Sequence, residues 1–249
     1  MIKRLVILII LLLLLLSKEM CSIVLYALDV SNYCSSVKIA LLYKGLDHVI
    51  IPPPSGYGSD EYKRIIPMGT IPAIVYEKVT ISESQVILEY LDDKFPDAKR
   101  LFLKDPDMNA KLRMVHRLHD LYLEPQIRAL FKHMDPKLRD NNFVKEKFDL
   151  FNSRLIQLEN IASKEGPFFM GDCFTVADCI LPPTLIMTDM MAKDLNQQVC
   201  YDDHIKLKSW WQRIKDDKCV SVVLEKAVIA TQEWIDRKKN TGEISKCSL

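Results

Sequence analysis

The chain has 249 residues and a mass of 28.8 kDa, and its 34 basic and 33 acidic residues leave a formal net charge of +1. A chain of this length forms one large domain or two small ones, with enough apolar residues for a full core. A nearly neutral chain lacks the clustered basic excess of nucleic-acid-binding proteins, so we expect no nucleic-acid partner. The five histidines and seven cysteines lack ligand spacing, so we also expect no metal site.

The first 22 residues have the plan of a signal peptide. Lys3 and Arg4 precede a continuous apolar run over residues 5–16, and polar residues follow it. Such a run reaches about 18 Å as a helix, short of the ~30 Å hydrocarbon core of a bilayer, so a simple spanning helix is disfavoured. No small-x-small cleavage pattern follows the run. We expect a secretory or extracellular protein, with a membrane-tethered or a cytoplasmic protein as the alternatives.

Residues 23–98 predict a small α/β domain. The predicted strands cover 23–28, 48–51, 73–76 and 79–81, and the predicted helices cover 37–44 and 83–95. The helices are recognised by apolar residues at helical spacing, and Gly45 is a plausible helix stop. The order of elements is therefore βαβ followed by ββα.

Strand signals disappear beyond a boundary at 96–105, so residues 106–240 predict an all-helical domain. The predicted helices cover 108–132, 142–164, 175–193, 203–215 and 220–238. The first of them is expected to bend at Pro125. Thr175 and Asp178 have the spacing of a capping box, so we expect Asp178 to stabilise a helix end rather than to do chemistry.

Three short stretches of the first domain carry the candidate site. Ser31 lies where the first strand gives way to a helix, so backbone N–H groups and the helix dipole favour an anion there. Pro72 follows Ile71 at the start of a predicted strand, where a proline can present an unpaired backbone edge. Glu83 and Ser84 start a helix, where Ser84 can bind a carboxylate and Glu83 can accept from an ammonium group.

Each stretch also has an ordinary structural interpretation. Ser31 can be a plain helix cap, since serine is among the commonest capping residues. Ser82 and Gln85 have the spacing of a capping box, which would explain the start of the second helix without any ligand.

In this order and spacing, the three stretches resemble the thioredoxin-like domain of serine-type glutathione transferases, such as the zeta, theta, delta and bacterial dehalogenase-like groups. The resemblance implies that Ser31 donates a hydrogen bond to the sulfur of glutathione and lowers the pKa of the bound thiol. It implies that Ile71, held by cis Pro72, pairs with the cysteinyl backbone of glutathione. It also implies that Glu83 and Ser84 hold the γ-glutamyl end.

The resemblance covers nearly all of residues 23–238 and implies a glutathione transferase that directs the thiolate at a small hydrophobic electrophile. Family analogy also implies a homodimer. The electrophile pocket is expected at the first helix of the second domain, where Met114, Leu118 and Tyr122 either line it or pack in the core.

Two alternatives stay open. A non-enzymatic ligand carrier or membrane-associated scaffold of the same fold is favoured by the leader and by Ile66 and Gly69. These two residues stand where relatives carry asparagine and a lysine or histidine that grips the glycine carboxylate of glutathione, and Lys63 or His48 are candidate substitutes. Alternatively, Cys34 lies at the resolving position of a glutaredoxin-like motif and would serve a thiol transferase.

Overall fold

The computed structural model describes residues 22–241, and its first part is a four-stranded sheet with helices. The strands are β1 Ile23–Tyr26, β2 His48–Ile51, β3 Ala73–Tyr76 and β4 Val79–Ser82, and the helices are α1 Asn32–Lys44, α2 Asp60–Lys63 and α3 Ser84–Lys94. The strand order is β2-β1-β3-β4, with β1 parallel to β2 and antiparallel to β3. The predicted βαβ-ββα domain with a thioredoxin-like layout is therefore confirmed.

The second part of the described chain is helical, as predicted. Its longer helices are α4 Pro106–Leu118, α5 Glu124–Ala129, α6 Asn141–Ile161, α7 Val176–Asp194, α8 Ile205–Ile214 and α9 Lys218–Thr241. Helix α7 is buried along most of its length and packs against α1 and α9. The core of the helical part therefore continues into the first helix of the sheet part.

Some predicted boundaries are wrong. The single helix expected over residues 108–132 is three successive segments, because a π-helical turn at His119–Leu123 separates α4 from α5 and a 3-10 turn follows. Helix α1 begins at Asn32 rather than at residue 37, since the polar residues at its start are buried against the helical domain. The short helix α2 was not predicted, because four residues carry no recognisable apolar period.

Asp178 stabilises the start of α7, as expected. Its carboxylate accepts hydrogen bonds from the backbone N–H of Thr175 and of Phe169, both at 2.8 Å. It also accepts from the indole N–H of Trp210 at 2.8 Å and from the Thr175 hydroxyl at 3.0 Å. Although burial raises the pKa of Asp178 to about 6, these four donors favour the ionised form.

The segment that joins the two parts is fixed by a buried ion pair. Lys44, at the end of α1, places its Nζ 2.7 Å from Oδ1 of Asp92 on α3. Asp92 also accepts from the backbone N–H groups of Leu101 and Phe102, and Lys44 donates to the carbonyl of Lys99. Both side chains are almost fully buried, so loss of either would leave an uncompensated charge.

The apolar run of the predicted leader lies outside the described residues. Within residues 22–241, no helix combines the length and the apolar character that a membrane span needs.

Candidate active site

A cleft of about 600 Å³ lies between the sheet part and the helical part. Its lining includes all five predicted site residues, which are Ser31, Ile71, Pro72, Glu83 and Ser84. The other lining residues are Tyr33, Tyr57, Thr70, Gln85, Val86, Arg117, Asp120 and Arg128. The three predicted stretches, which are well separated in the sequence of the first domain, are thus brought to one wall of the cleft.

Ser31 is the N-cap of α1 and is only 4% exposed. Its backbone is extended, and its hydroxyl oxygen accepts from the backbone N–H of Cys34 at 3.3 Å. The capping interpretation is therefore satisfied, but a hydroxyl that accepts through its oxygen still carries a hydrogen to donate. Because Ser31 also lines the cleft, it can cap the helix and donate to a bound thiolate at the same time.

Cys34 lies one turn further into α1 and is fully buried. Burial raises the pKa of its thiol, and the hydrogen bond with Ser31 only partly opposes this effect. A protonated, inaccessible thiol is a poor nucleophile, so the geometry disfavours Cys34-dependent thiol transfer.

The peptide bond between Ile71 and Pro72 is cis, the isomer that the sequence led us to expect. The loop before it is held by a hydrogen bond from the Tyr62 hydroxyl to the carbonyl of Thr70, at 3.0 Å. Strand β3 begins only at Ala73, so Ile71 lies just beyond the hydrogen-bonded ladder, on the wall of the cleft. Its backbone is therefore placed to pair with an extended peptide ligand.

Gly69 adopts a left-handed backbone with φ of +67°, and Lys63 lies against it. A Cβ atom placed on Gly69 would be 3.0 Å from Cγ and 3.2 Å from Cε of Lys63. The aliphatic part of Lys63 thus occupies the space that a side chain at position 69 would need. His48, the other candidate substitute, is instead at the start of β2, where its Nδ1 lies 2.7 Å from the carbonyl oxygen of Leu46.

The start of α3 is open toward the cleft. Its N-cap is Glu83, which has a positive φ of +73° and whose side chain makes no capping hydrogen bond. The capping box expected of Ser82 and Gln85 is wrong, because Gln85 donates to Glu89 and Ser82 lies 3.4 Å from the sulfur of Met68. The N–H groups of the first turn are therefore left to bind an anion, beside the nearly buried Ser84.

The helical wall of the cleft is made of charged side chains, which sequence reasoning missed. Met114 is 60% exposed and Tyr122 is 45% exposed, so they form neither the core nor the lining, whereas Leu118 packs against the core and also lies outside the lining. The helical residues that line the cleft are Arg117, Asp120 and Arg128. With Glu124, they form a stripe at spacings of three or four residues, a signal that was readable in the sequence.

Asp120 is held by a buried chain of hydrogen bonds. Nδ1 of His119 lies 2.8 Å from its carboxylate, and Nε2 of His119 lies 2.7 Å from the hydroxyl of Thr184 on α7. Thr184 also accepts from the side-chain amide of Asn32, the residue next to Ser31. Burial would raise the pKa of Asp120, but the hydrogen bond with His119 and the nearby positive charges, including Arg117, together outweigh burial and lower it.

Among the charged side chains of this wall, Arg117 has the weakest contact with its neighbours. Its Nη1 lies 3.8 Å from Oδ2 of Asp120, beyond hydrogen-bond distance, and its side chain is about half exposed. His116, behind it, is buried, and burial lowers its pKa to about 4, so this histidine is neutral near neutral pH. Arg117 therefore keeps guanidinium donors for a ligand near the start of α3.

Arg128 is fixed from three sides. Its Nε and Nη2 both donate to the carboxylate of Glu124, which is almost fully buried. Its guanidinium carbon lies 5.8 Å from the ring centre of Tyr33 and 5.7 Å from that of Phe131. Burial and the Glu124 charge raise the pKa of Tyr33, so its phenol stays neutral.

Among the described residues, no group of three or more histidine, cysteine or acidic side chains is arranged to hold a metal ion.

A thioredoxin-like domain with a cis proline, joined to a helical domain across a cleft, defines a glutathione transferase fold. Family models match both halves: the glutathione S-transferase N-terminal domain over residues 25–99 and the C-terminal domain over residues 119–226. The chain belongs to the glutathione S-transferase superfamily.

Curated relatives agree with this assignment. The chain is 32% identical to glutathione S-transferase Z2 of Arabidopsis thaliana over 65% of its length and 74% of the relative's. It is 31% identical to maleylacetoacetate isomerase of Rattus norvegicus over 70% of its length and 81% of the relative's.

Solved structures support the fold. A glutathione transferase of Bombyx mori matches with a TM-score of 0.71 and 23% identity, covering 86% of this chain and 97% of the other. A tau-class enzyme of Mangifera indica matches with a TM-score of 0.72 and 19% identity, covering 85% of this chain and 96% of the other.

Proposed function

We propose that the protein activates the thiol of glutathione at Ser31 and directs the thiolate at an electrophile bound in the same cleft. The observation that carries this proposal is the convergence on one cleft wall of a capped helix start, a cis Ile71–Pro72 bond and the open start of α3. The thiolate forms a carbon–sulfur bond as the electrophile loses its leaving group or takes up a proton. Ser31 favours this step because its hydrogen bond stabilises the ionised sulfur.

The rest of glutathione follows the same wall. The backbone of Ile71 pairs with the cysteinyl residue, and the γ-glutamyl carboxylate binds at Ser84 and the first turn of α3. Glu83 accepts from the ammonium group. Lys63 supplies the cation for the glycine carboxylate, because its side chain occupies the space above Gly69.

Calorimetry of glutathione binding to the full chain tests this placement. We expect micromolar to millimolar binding, which the Glu83→Ala/Ser84→Ala double variant weakens about 10- to 100-fold because charge-assisted hydrogen bonds are lost. Ser82→Ala is the matched control, since Ser82 is adjacent in sequence but does not line the cleft. A folded wild-type chain that does not bind glutathione would contradict the proposal and favour the carrier or scaffold alternative.

Ser31→Ala tests the catalytic part. We expect the pKa of the bound thiol to rise and conjugation at neutral pH to fall about 10- to 100-fold, with glutathione affinity largely kept. The bound thiolate is measured by its ultraviolet absorbance as the pH is varied. Asp105→Ala is the matched control, because Asp105 also caps a helix but lies outside the cleft lining.

A glutathione-dependent isomerase is the second candidate, because the chain is similar to a maleylacetoacetate isomerase. In such a reaction the thiolate adds to an activated double bond and leaves again after rotation, so that no glutathione is consumed. Measuring free thiol during turnover separates the two candidates: a transferase consumes one thiol for each product and an isomerase consumes none.

Homodimer formation and export through the N-terminal segment are further parts of the proposal. Sedimentation of the full chain tests the first, and N-terminal sequencing of the protein from its native cells tests the second. A monomer, or an N-terminus at Met1 in an intracellular fraction, would contradict the respective part.

A further inference from the structure

The guanidinium group of Arg128 is the best-fixed cation of the cleft. Glu124 accepts from its Nε and Nη2, and the rings of Tyr33 and Phe131 lie close to it. Glu124 uses only one edge of the guanidinium, so Nη1 keeps its hydrogens for another acceptor. A cation held in this way loses little conformational entropy when it binds an anion.

Arg128 lies on the side of the cleft where α1 starts, which is where the sulfur of glutathione is proposed to bind. Its guanidinium lies beside the ring of Tyr33, two residues after Ser31. Arg117 lies eleven residues earlier in the chain, about three helical turns away, and one turn after Arg113, which pairs with Glu89 of α3. Arg117 therefore lies toward α3, where the γ-glutamyl group is proposed to bind. Arg128 lies toward α1, where the electrophile is proposed to meet the sulfur.

The surroundings of Arg128 favour a ligand that is both apolar and anionic. Tyr33 supplies an aromatic surface, and the pKa of its phenol is raised, so the phenol adds no negative charge. The Glu124 charge is already engaged by Arg128 and is almost fully buried. A planar carboxylate matches the remaining donors of a guanidinium group better than a neutral carbonyl does.

We propose that the electrophile carries a carboxylate group and that Arg128 binds it, while Glu124 and Tyr33 position Arg128. This inference rests on the proposed glutathione-dependent function and replaces the purely hydrophobic electrophile that the sequence led us to expect. Arg128 then selects among electrophiles and leaves glutathione binding to the opposite wall.

Two stable product analogues test the proposal without requiring turnover. Both are S-nitrophenyl conjugates of glutathione, and they differ only in a ring carboxylate or a ring carboxamide. Calorimetry of the full chain with each conjugate and with glutathione gives three affinities. We expect the wild-type chain to bind the carboxylate about tenfold more tightly than the carboxamide.

Arg128→Gln should bring this ratio to about one while glutathione affinity stays unchanged, and Arg128→Lys should keep an intermediate ratio. The matched control is Arg154→Gln, because Arg154 also lies over an aromatic ring, that of Tyr122, but does not line the cleft. A wild-type ratio near one, or a ratio that Arg128→Gln does not change, would overturn the inference while leaving glutathione binding intact. Loss of binding for all three ligands in the wild-type chain would instead overturn the proposed function, and this inference with it.

Discussion

The two walls of the cleft are built by different means. The wall on the sheet side consists of two helix starts and a cis peptide, so it offers mainly backbone groups and small hydroxyls. The wall on the helical side consists of charged side chains that hold one another, such as Arg128 with Glu124. A backbone wall fixes one ligand backbone in one register, whereas a side-chain wall can change its specificity by single substitutions.

Asp178→Ala should have the largest effect, because it destabilises the helical part that carries the side-chain wall. The substitution leaves several buried donors without an acceptor, so we expect unfolding stability to fall by about 3–5 kcal/mol. Urea unfolding measures this change. Asp140→Ala removes two hydrogen bonds at the partly exposed start of α6 and should cost only about 1 kcal/mol. Equal losses in the two variants would contradict the role of Asp178.

The stability of the fold should also depend on pH, because His116 is buried next to Arg117 in the sequence of α4. Its pKa is lowered by burial from 6.5 to about 4, so the unfolded chain binds more protons than the folded chain between these values. This group therefore contributes stability above pH 6.5, and this contribution of about 3 kcal/mol is lost as the pH falls toward 4. We expect the urea midpoint of His116→Leu to depend less on pH than that of the wild type. An unchanged pH dependence would contradict a neutral, buried His116.

Lys63→Ala and Gly69→Lys test the proposed contact between Lys63 and the glycine carboxylate of glutathione. Lys63→Ala should weaken glutathione binding about 3- to 10-fold, because an exposed charge pair contributes modestly. Gly69→Lys should not improve binding, since a side chain there needs a left-handed backbone and meets Lys63 at 3.0 Å. Calorimetry measures both variants, and tighter binding by Gly69→Lys would show that Lys63 does not fill this place.

Arg117→Gln should have the smallest effect. Arg117 is about half exposed and is 3.8 Å from its acidic neighbour, so its field on the γ-glutamyl carboxylate is screened by salt. We expect the KM for glutathione to rise about 2- to 3-fold at low ionic strength and less at high ionic strength. Arg113→Gln is the control, because Arg113 lies one turn away and outside the cleft lining. An equal effect of the two variants would show that Arg117 does not interact with the γ-glutamyl carboxylate.

The same difference between the walls explains what the sequence could predict. Ser31 and Glu83-Ser84 were recognised because helix starts depend on local residues, and the cis bond at Pro72 was expected from the family resemblance. Their ligand contacts stay predictions, although the structure brings all of them to one cleft. Arg117, Asp120 and Arg128 were missed because the pocket was sought along an apolar stripe, whereas a charged stripe at similar helical spacing lines the cleft. A helical period does not by itself say which face of a helix meets the other domain, so the sequence alone could not decide between the two stripes.

The Lys44–Asp92 pair has a consequence for how the cleft admits its ligands. The carboxylate of Asp92 binds backbone N–H groups of the connecting segment, and Lys44 binds a carbonyl of the same segment. The connection is thus tied to the interior of the sheet part, and the backbone N–H of Val176, at the start of α7, donates to the carbonyl of Leu101 and ties the connection to the helical part as well. With the connection held by both parts, hinge motion between the two walls is disfavoured, so we expect the width of the cleft to limit the size of the ligands that enter it.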